Sequence, residues 1–232
     1  MPVRDSAGRD GLLRRLAEAW GNASDRLRGP AEGARDVGRT IFDLSVSVLG
    51  ITVLSPALAA AAAIILLDDG SPVLFRQARL GTNRVPFRLL KLRTMRAGRV
   101  TRAGAWLRAT GLDEAPQFWN VVRGEMSVVG PRPLTPDDIV RLGWNGPAHD
   151  VRFLAKPGIT GPVQVLGAIS AADSARLERE YLTRRSAGLD LAIVVATSAV
   201  LVLGKDRVGR RLRDALDSFG RPGESASRGE RP

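Results

Sequence analysis

The sequence predicts a mostly helical α/β protein of the monotopic membrane class, which enters the bilayer and leaves it by the same face. Residues 40–67 are apolar apart from Asp43, and one helix of that length would reach roughly 40 Å, enough to cross a bilayer. The dipeptide Ser55-Pro56 lies at the middle of this segment, and basic residues flank both of its ends. The patterns that follow predict a small globular domain with a β-hairpin and interfacial amphipathic helices.

The composition excludes several kinds of site. The chain has 232 residues, enough for one sizeable domain with appendages, and its 44% hydrophobic content is enough for a core. It contains no cysteine, which excludes disulfides, thiolate metal sites and cysteine nucleophiles. Its single histidine, His149, excludes a multi-histidine metal site within one chain. A Ser-His-Asp triad would have to use His149, and no Gly-x-Ser-x-Gly motif supports it.

The positive charge is concentrated in one segment. The formal net charge is +11, and no acidic residue occurs between Asp69 and Asp113. This concentration of positive charge would attract nucleic acid, anionic lipid head groups or a diphosphate substrate. The alternative is a solvated basic face that binds no ligand. Scarce aromatic residues and the lack of zinc-finger, RRM or helix-turn-helix signatures argue against nucleic acid. The segment contains ten basic residues: Arg76, Arg79, Arg84, Arg88, Lys91, Arg93, Arg96, Arg99, Arg102 and Arg108.

We predict a weakly ordered arm over residues 1–36 and a re-entrant membrane helix over residues 37–68. Proline removes a backbone donor and clashes with the preceding turn, so the helix is expected to kink or break at Ser55-Pro56, into halves too short to cross alone. Basic residues lie on both sides of the segment, and the positive-inside rule places both flanks in the cytoplasm. A helix that turns back fits these flanks. A spanning helix that tolerates a proline is the alternative.

Residues 69–206 are predicted to form a cytoplasmic catalytic domain, followed by a C-terminal tail over residues 207–232. The apolar stretch 189–203 is short for a transmembrane helix, so we expect it in the core or in the membrane interface. Alternating patterns predict two strands of a hairpin, and amphipathic patterns predict four helices. The strands are predicted at residues 71–81 and 85–93, and the helices at 101–110, 113–123, 136–142 and 171–185.

Two adjacent carboxylates and a restrained arginine form the candidate site. Asp113 and Glu114 stand at the start of a predicted helix, where the helix dipole favours an anionic ligand or a carboxylate. Arg132 stands between Pro131 and Pro133, which restrict the backbone and preorganise the guanidinium for phosphate binding. Phosphoryl chemistry with a divalent metal requires carboxylates beside fixed guanidinium groups. The carboxylates can hold the metal or attack phosphorus, and the arginine neutralises phosphate oxygens.

A set of motifs, in the same order along the chain, resembles the bacterial sugar transferase family, the monotopic polyprenyl-phosphate phosphoglycosyl transferases. The resemblance covers about residues 36–205, and it is the set of motifs that makes it specific. Pro162 stands where the family commonly has an aromatic residue. The motifs are Arg39-Thr-Ile-Phe-Asp43, Ser55-Pro56, Phe75-Arg-Gln-x-Arg79-Leu-Gly, Lys91-Leu-Arg93-Thr94-Met95, Asp113-Glu114-x-Pro-Gln-x-x-Asn120, Gly-Pro131-Arg132-Pro133 and Lys156-Pro-Gly158-Ile-Thr160-Gly161.

The resemblance implies a reaction and the residues that perform it. The reaction is transfer of a sugar 1-phosphate from a nucleotide-diphosphate sugar, expected to be a UDP-sugar, to polyprenyl (undecaprenyl) phosphate. Asp113 would be the nucleophile that forms a covalent aspartyl phospho-sugar, and Asp113 and Glu114 would bind Mg²⁺ or Mn²⁺. Phosphate and substrate would be bound by Arg132 with Pro131 and Pro133 and, as weaker candidates, by Arg79, Lys91 and Arg93.

The resemblance also implies where the protein acts. It places a monotopic enzyme at the cytoplasmic face of the bacterial inner membrane, with membrane lipids as partners and without nucleic acid. There it would initiate assembly of an exopolysaccharide, a capsule, an O-antigen or a glycoprotein glycan. One alternative function stays open, that of a catalytically inactive, membrane-anchored scaffold of a glycan assembly complex. Whether the protein forms a homo-oligomer also stays open.

Overall fold

One long helix forms the first described element of the chain. The computed structural model describes residues 30–167 and 170–203, so most of the predicted arm and the whole predicted tail lie outside the described residues. Helix α1 (Pro30–Asp69) is continuous and contains Pro56. The expected interruption of the helix at Ser55-Pro56 is therefore not observed, and the helix begins before residue 37. Among the described residues, its segment Val37–Asp69 is the one helix long and apolar enough to cross a membrane.

The hydroxyl of Ser55 explains why the helix continues through the proline. In a regular helix the N–H of residue 56 would donate to the carbonyl of Thr52, and proline has no N–H. The Ser55 Oγ donates to this same carbonyl at 2.8 Å. One turn earlier, the Thr52 Oγ1 donates to the carbonyl of Val48, also at 2.8 Å. The carbonyl that proline leaves without its helical donor is thus satisfied locally, which an apolar environment requires.

Both ends of α1 bind the globular domain. Near its start, the Arg39 guanidinium pairs with the Asp190 carboxylate at 2.7 Å. At its end, the Asp69 carboxylate pairs with Arg93 at 2.9 Å and with Arg96 at 3.0 Å. The two flanks of the apolar segment therefore lie against the same body. One face of the helix packs on the domain, whereas Val48, Leu49, Val53, Ile64 and Leu67 on other faces are exposed.

The buried carboxylate of Asp43 also fixes α1 to the domain. It accepts hydrogen bonds from the Ser127 hydroxyl at 2.7 and 2.9 Å and from the Val128 backbone N–H at 2.9 Å. The start of a strand, with a hydroxyl and a backbone N–H donor, therefore lies directly beside this carboxylate.

The predicted hairpin is confirmed. Strands β1 (Leu74–Leu80) and β2 (Pro86–Leu92) pair antiparallel, with Arg76 opposite Leu90 and Arg79 opposite Phe87. Successive side chains of a strand point to opposite faces of a sheet. One face of the hairpin is therefore formed by residues 75, 77, 79 and 91, and the other by residues 74, 76, 88 and 90.

The remaining elements are short helices and small sheets. The helix expected over 113–123 is divided into a 3₁₀ turn (Leu112–Glu114) and a separate helix, because Pro116 cannot donate within a continuous helix. The helices expected over 101–110, 136–142 and 171–185 are confirmed. In chain order, the strands and helices after β2, with one further 3₁₀ segment, are β3 (Met95–Arg96), β4 (Arg99–Val100), α2 (Arg102–Thr110), α3 (Gln117–Val122), β5 (Ser127–Val129), α4 (Pro136–Arg141), the 3₁₀ segment (Pro147–Leu154), β6 (Gly158–Thr160), α5 (Pro162–Leu166), α6 (Ala171–Arg184) and α7 (Ala187–Leu203).

The largest core cluster joins the hairpin to the C-terminal helices. Leu89 of β2, Met126 and Val129 beside or within β5, Tyr181 of α6 and Ile193 of α7 are all buried in it. The apolar stretch predicted over 189–203 thus contributes to the core, although Leu191 and Val195 on its outer face are exposed. Strand β5 pairs in parallel with β6, and this pair lies between the core and the candidate site.

Candidate active site

The Asp113-Glu114 pair lies in a tight turn between α2 and α3. Gly111 adopts the left-handed conformation that ends α2, with φ of 70°, and the 3₁₀ turn Leu112–Glu114 follows directly. This turn buries the Asp113 side chain, which is 8% exposed, and leaves the Glu114 side chain 41% exposed. The two neighbouring carboxylates therefore have different surroundings, and the Asp113 carboxylate is the less accessible to solvent.

Charged groups of both signs surround the Asp113 carboxyl. Burial and then the neighbouring Glu114 carboxylate raise the pKa of Asp113, whereas the Lys91 ammonium and the Arg108 guanidinium oppose this rise. Lys91 extends from β2 and its Nζ lies 2.6 Å from Glu114 Oε1. A raised pKa makes the ionised carboxylate more basic and so a better nucleophile. The arrangement favours an Asp113 side chain that forms a bond to an electrophile.

Asp113 and Glu114 line a cavity of about 970 Å³. This volume is that of a site for a nucleotide-sized molecule. Its walls come from the hairpin, the end of α2, the middle of α1 and the outer face of α7. Of the predicted phosphate-binding residues, Arg79, Lys91 and Arg93 line it as well, whereas Pro131, Arg132 and Pro133 are not among its lining residues. The sole histidine does not: His149 stacks on Trp144, with ring centroids 5.2 Å apart, in a different part of the domain.

Arg79 is held in a fixed position at this cavity. Its guanidinium donates to the Pro133 carbonyl at 3.1 Å, to Asp138 at 3.2 Å and to Gln77 at 2.6 Å. Burial lowers the pKa of Arg79, the Asp138 carboxylate opposes this, and the nearby Arg132 guanidinium adds to it. The Arg79 Nε is buried and has no partner in the described part of the chain. Protein contacts thus fix the guanidinium at the wall of the cavity.

The Pro-Arg-Pro loop packs backbone to backbone on the β6 loop. The Gly130 N–H donates to the Thr160 carbonyl at 3.0 Å, and the Gly158 N–H donates to the Pro131 carbonyl at 2.9 Å. A Cβ on Gly158 would lie 2.1 Å from the Gly130 nitrogen, so glycine is required for this approach. Pro131 and Pro133 are buried, whereas the Arg132 side chain between them is exposed.

A buried ion pair, which the sequence did not indicate, holds the backbone of Arg132 on both sides. The Arg132 N–H donates to Glu178 Oε1 at 3.1 Å, and its carbonyl accepts from Arg152 at 2.6 Å. Arg152 and Glu178 pair with each other at 3.0 Å and are 5% and 3% exposed in their side chains. The Arg132 guanidinium itself makes no ion pair within the described residues. The loop is thus rigid, and its charge is directed to solvent or ligand.

Arg93 differs from the other predicted phosphate-binding residues. It lines the cavity, but its guanidinium pairs with the Asp69 carboxylate and donates to the carbonyls of Asp69 and Gly70 at 2.9 and 2.5 Å. These bonds join the end of β2 to the end of α1. The structure therefore gives Arg93 a part in fixing the anchor helix beside the cavity, in addition to the phosphate binding predicted for it.

The donor set at the cavity fits a hydrated divalent cation. No group of three or more His, Cys, Asp or Glu side chains suited to a metal occurs in residues 30–167 and 170–203. Mg²⁺ commonly uses one or two carboxylates, several waters and substrate phosphates rather than an all-protein cage. The Glu114 charge helps to raise the pKa of Asp113, so the two carboxylates repel each other. A cation between them would relieve this repulsion, and the half-exposed Glu114 is accessible to one.

The chain matches the bacterial sugar transferase family over residues 34–204, and it therefore belongs to this family. This confirms the prediction made from the motifs, and with it the predicted class of enzyme, a polyprenyl-phosphate phosphoglycosyl transferase. The chain is 36% identical over 185 residues to a UDP-glucose:undecaprenyl-phosphate glucose-1-phosphate transferase of Caulobacter vibrioides, covering 71% of this chain and 69% of that protein.

Longer relatives carry related names. The chain is 38% identical to an undecaprenyl-phosphate glucose phosphotransferase of Komagataeibacter xylinus, covering 67% of this chain and 34% of that protein. It is 34% identical to a UDP-N-acetylgalactosamine-undecaprenyl-phosphate N-acetylgalactosaminephosphotransferase of Aeromonas hydrophila, covering 70% and 43%. The chain thus spans less than half the length of these two relatives. Their names differ in the sugar and agree in the lipid acceptor.

Proposed function

We propose that the protein transfers a sugar 1-phosphate from a UDP-sugar to undecaprenyl phosphate, through a covalent phospho-sugar on Asp113. The observation that carries this proposal is the buried Asp113 carboxyl in a cavity lined by Lys91 and Arg79. The names of the relatives, which combine UDP-sugars with undecaprenyl phosphate, support the choice of donor and acceptor. The product would begin the assembly of an exopolysaccharide or a related surface glycan.

In the first half-reaction the Asp113 carboxylate attacks the β-phosphorus of the UDP-sugar. A bond forms between the carboxylate oxygen and the β-phosphorus, and the bond from this phosphorus to the bridging oxygen breaks. UMP leaves as a phosphate monoester that needs no proton at neutral pH, since its second pKa is about 6. No general acid is therefore required, which agrees with a cavity whose lining includes no histidine. The bond between the sugar and its phosphate stays intact.

In the second half-reaction a phosphate oxygen of undecaprenyl phosphate attacks the same phosphorus. The bond from Asp113 to phosphorus breaks, the carboxylate is regenerated, and undecaprenyl-diphosphate sugar is released. The outer wall of the cavity comes from apolar residues of α1 and α7, including Leu54, Val194 and Val200. This wall suits the isoprenoid chain, while the charged end of the cavity suits the phosphate. Asp113 thus serves both steps, as the nucleophile in the first and as the leaving group in the second.

Fixed cations compensate the charge of the diphosphate. Lys91 lies beside Glu114, the Arg79 Nε lacks a partner within the described residues, and Arg132 extends from the rigid loop. Guanidinium groups bind phosphate oxygens through paired hydrogen bonds, and preorganised groups stabilise a transition state without reorganisation. Mg²⁺ or Mn²⁺, when bound by Asp113 and Glu114, supplies further positive charge at the phosphates.

The same proposal places the protein at the cytoplasmic face of the inner membrane, with α1 re-entrant. Two observations support this topology. Arg39 and Asp69, near the two ends of α1, both bind the globular domain, so neither flank is separated from it. Many α1 side chains on the face away from the domain are apolar and exposed. The Asp113-Glu114 dyad would then lie at the membrane surface, where a soluble UDP-sugar and a lipid phosphate can both reach it.

Release of UMP from a panel of UDP-sugars tests the proposed activity. We expect one or a few UDP-sugars to give UMP when the purified protein is supplied with undecaprenyl phosphate, together with a lipid-linked sugar product. A protein that binds the membrane normally but releases UMP from no nucleotide sugar would instead be a non-catalytic scaffold. The same panel identifies the sugar, which the fold leaves open.

The pH dependence of the reaction is expected to follow the charges around Asp113. The carboxylate is the active form, so kcat/KM falls as pH falls through the pKa of Asp113, which is raised above that of an ordinary aspartate. Lys91→Met removes an opposing cation and should move this acidic limb to higher pH, whereas Glu114→Gln removes a like charge and should move it to lower pH. Shifts of both profiles in the same direction would contradict the assignment.

Removal of divalent metal is expected to stop the reaction. Attack by a carboxylate on an anionic diphosphate brings like charges together, and a cation held by Asp113 and Glu114 would compensate them. EDTA should abolish UMP release, and excess Mg²⁺ should restore it to the initial rate. Measurement of residual metal in the treated sample provides the control. Full activity in a sample shown to be free of metal would contradict the proposed role of the dyad.

Single introduced cysteines test the re-entrant topology, because the native chain has none. We expect Val37→Cys and Ser71→Cys, one on each flank of the apolar segment, to react with an impermeant thiol reagent from the cytoplasmic face only. Pro56→Leu restores the missing N–H and removes the clash, so it should favour a straight spanning helix and move position 37 to the other face. Labelling of position 37 from the periplasmic face in the protein with native Pro56 would show a spanning anchor.

A further inference from the structure

A second cavity lies on the face of the hairpin opposite the catalytic cavity. Its volume is about 820 Å³. Arg76, Arg88 and Leu90 line it, whereas their strand neighbours Gln77 and Lys91 line the catalytic cavity. The alternation of side chains along the strands therefore places the two cavities on opposite faces of the hairpin, and they adjoin at Leu92 and Ala115, which line both. We call this second cavity the arginine groove.

One wall of the arginine groove is formed by the anchor helix. Ile51, Leu58, Ala59 and Ala62 of α1 line it, and their spacing places them on one face of the helix. They belong to the apolar stretch that the proposed topology puts in the bilayer, and this step rests on that topology. The wall is therefore a surface along which an acyl chain can lie.

The other wall carries unneutralised positive charge. Arg76, Arg88 and Arg123 line the groove, and no carboxylate is among its lining residues. Within the described residues, the guanidinium groups of Arg76 and Arg88 make no ion pair and no hydrogen bond to protein. Arg123 has one distant contact, 3.8 Å from Glu125, and its side chain is 57% exposed. The groove therefore presents three cations, and within the described residues no carboxylate pairs with Arg76 or Arg88.

An exposed tryptophan also lines the groove. Trp119 of α3 lines the groove and is half exposed. Tryptophan is enriched where hydrocarbon meets the polar head groups of a bilayer. Its position marks the level at which a lipid phosphate would be found if α1 lies in the membrane. The cations of the groove line the same cavity as this tryptophan.

We propose that the arginine groove binds one anionic phospholipid of the bilayer, with its phosphate at Arg76 and Arg88 and an acyl chain along α1. The groove has the two parts of such an amphiphile in one cavity, namely an apolar wall and cations without partners. Anionic lipids are attracted to exposed arginines at a membrane surface. The catalytic cavity is of a different kind, since it contains Asp113 and Glu114 and is the site proposed for undecaprenyl phosphate.

Quenching of Trp119 fluorescence by brominated lipids tests this proposal. The full chain is placed in phosphatidylcholine vesicles that contain an equal minor fraction of either brominated phosphatidylglycerol or brominated phosphatidylcholine. The Trp119 signal is isolated by difference with Trp119→Phe. We expect a preference of about fivefold or more for the anionic quencher, since one arginine near the surface contributes about this factor. The measurement requires no turnover, so it is independent of the proposed activity.

Matched charge variants identify the source of the preference. Arg76→Gln with Arg88→Gln should reduce the preference to that of a neutral surface, and Arg76→Lys with Arg88→Lys should retain most of it. Arg99→Gln with Arg102→Gln removes the same charge from exposed positions that do not line the groove, and should leave the preference intact. Unchanged quenching by brominated phosphatidylcholine shows that each variant is inserted.

Three results would overturn the proposal. Equal quenching by the two lipids in the native protein would show that the groove does not select anionic lipid. An equal loss in the Arg99 and Arg102 variant would assign the preference to the general positive field. Displacement of brominated phosphatidylglycerol by stoichiometric undecaprenyl phosphate would show that the groove takes the acceptor substrate instead.

Discussion

Asp113→Asn is expected to abolish turnover, with a loss of roughly 10⁴-fold or more in kcat, because it removes the nucleophile and keeps its shape. The protein should remain folded and membrane-bound. The pKa of Asp113 is raised by burial, so the folded state disfavours its charge at neutral pH, and a neutral asparagine relieves this. The melting temperature should therefore equal or exceed that of the native protein. UMP release and thermal unfolding of the same preparation measure both effects.

Asp137→Asn provides the matched control. Asp137 is an exposed residue of α4 and does not line the catalytic cavity. The same chemical change there should leave kcat within a small factor of the native value. Turnover by Asp113→Asn at a substantial fraction of the native rate would remove Asp113 from the role of nucleophile. A much lower melting temperature would instead assign Asp113 a structural role.

The second large effect is expected for Arg132→Lys. Lysine keeps the positive charge but loses the planar fork that binds two phosphate oxygens, and we expect a loss of roughly 10²-fold in kcat/KM. Arg152 and Glu178 hold the backbone of residue 132 rather than its side chain, so the loop should keep its position in this variant. Steady-state kinetics with the UDP-sugar and with undecaprenyl phosphate show which substrate the fork binds.

Arg102→Lys is the control for this substitution. Arg102 is exposed at the start of α2 and does not line the catalytic cavity, so its exchange for lysine should leave the kinetics unchanged. Near-native kcat/KM for both substrates in Arg132→Lys would mean that Arg132 contributes only charge. It would then move the phosphate-binding role to Arg79 and Lys91, which line the cavity directly.

The parts of the site that were predictable from sequence are local in the chain. The hairpin follows from two alternating strands, and the position of the dyad follows from a glycine, two acids and a proline within a few residues. Such patterns determine backbone conformation over one turn or one strand pair. They therefore predicted that Asp113 and Glu114 lie together and that Lys91 comes from a strand.

The parts that were not predictable depend on contacts between distant residues. Glu178 lies in an amphipathic, highly charged helix, where a glutamate normally faces water, yet it is buried against Arg152 and the Arg132 backbone. No spacing rule connects these positions. The continuity of α1 through Pro56 has a local cause, because the Ser55 hydroxyl supplies the donor that Pro56 lacks.

The covalent step through Asp113 is tested most directly by trapping it. The protein is incubated with a UDP-sugar labelled at the β-phosphate and without undecaprenyl phosphate, then denatured and digested for mass spectrometry. The mechanism predicts release of up to one equivalent of UMP and a phospho-sugar adduct on the peptide that contains Asp113, which disappears when undecaprenyl phosphate is added before denaturation. An adduct on another residue, or UMP release that requires undecaprenyl phosphate and leaves no adduct, would contradict it.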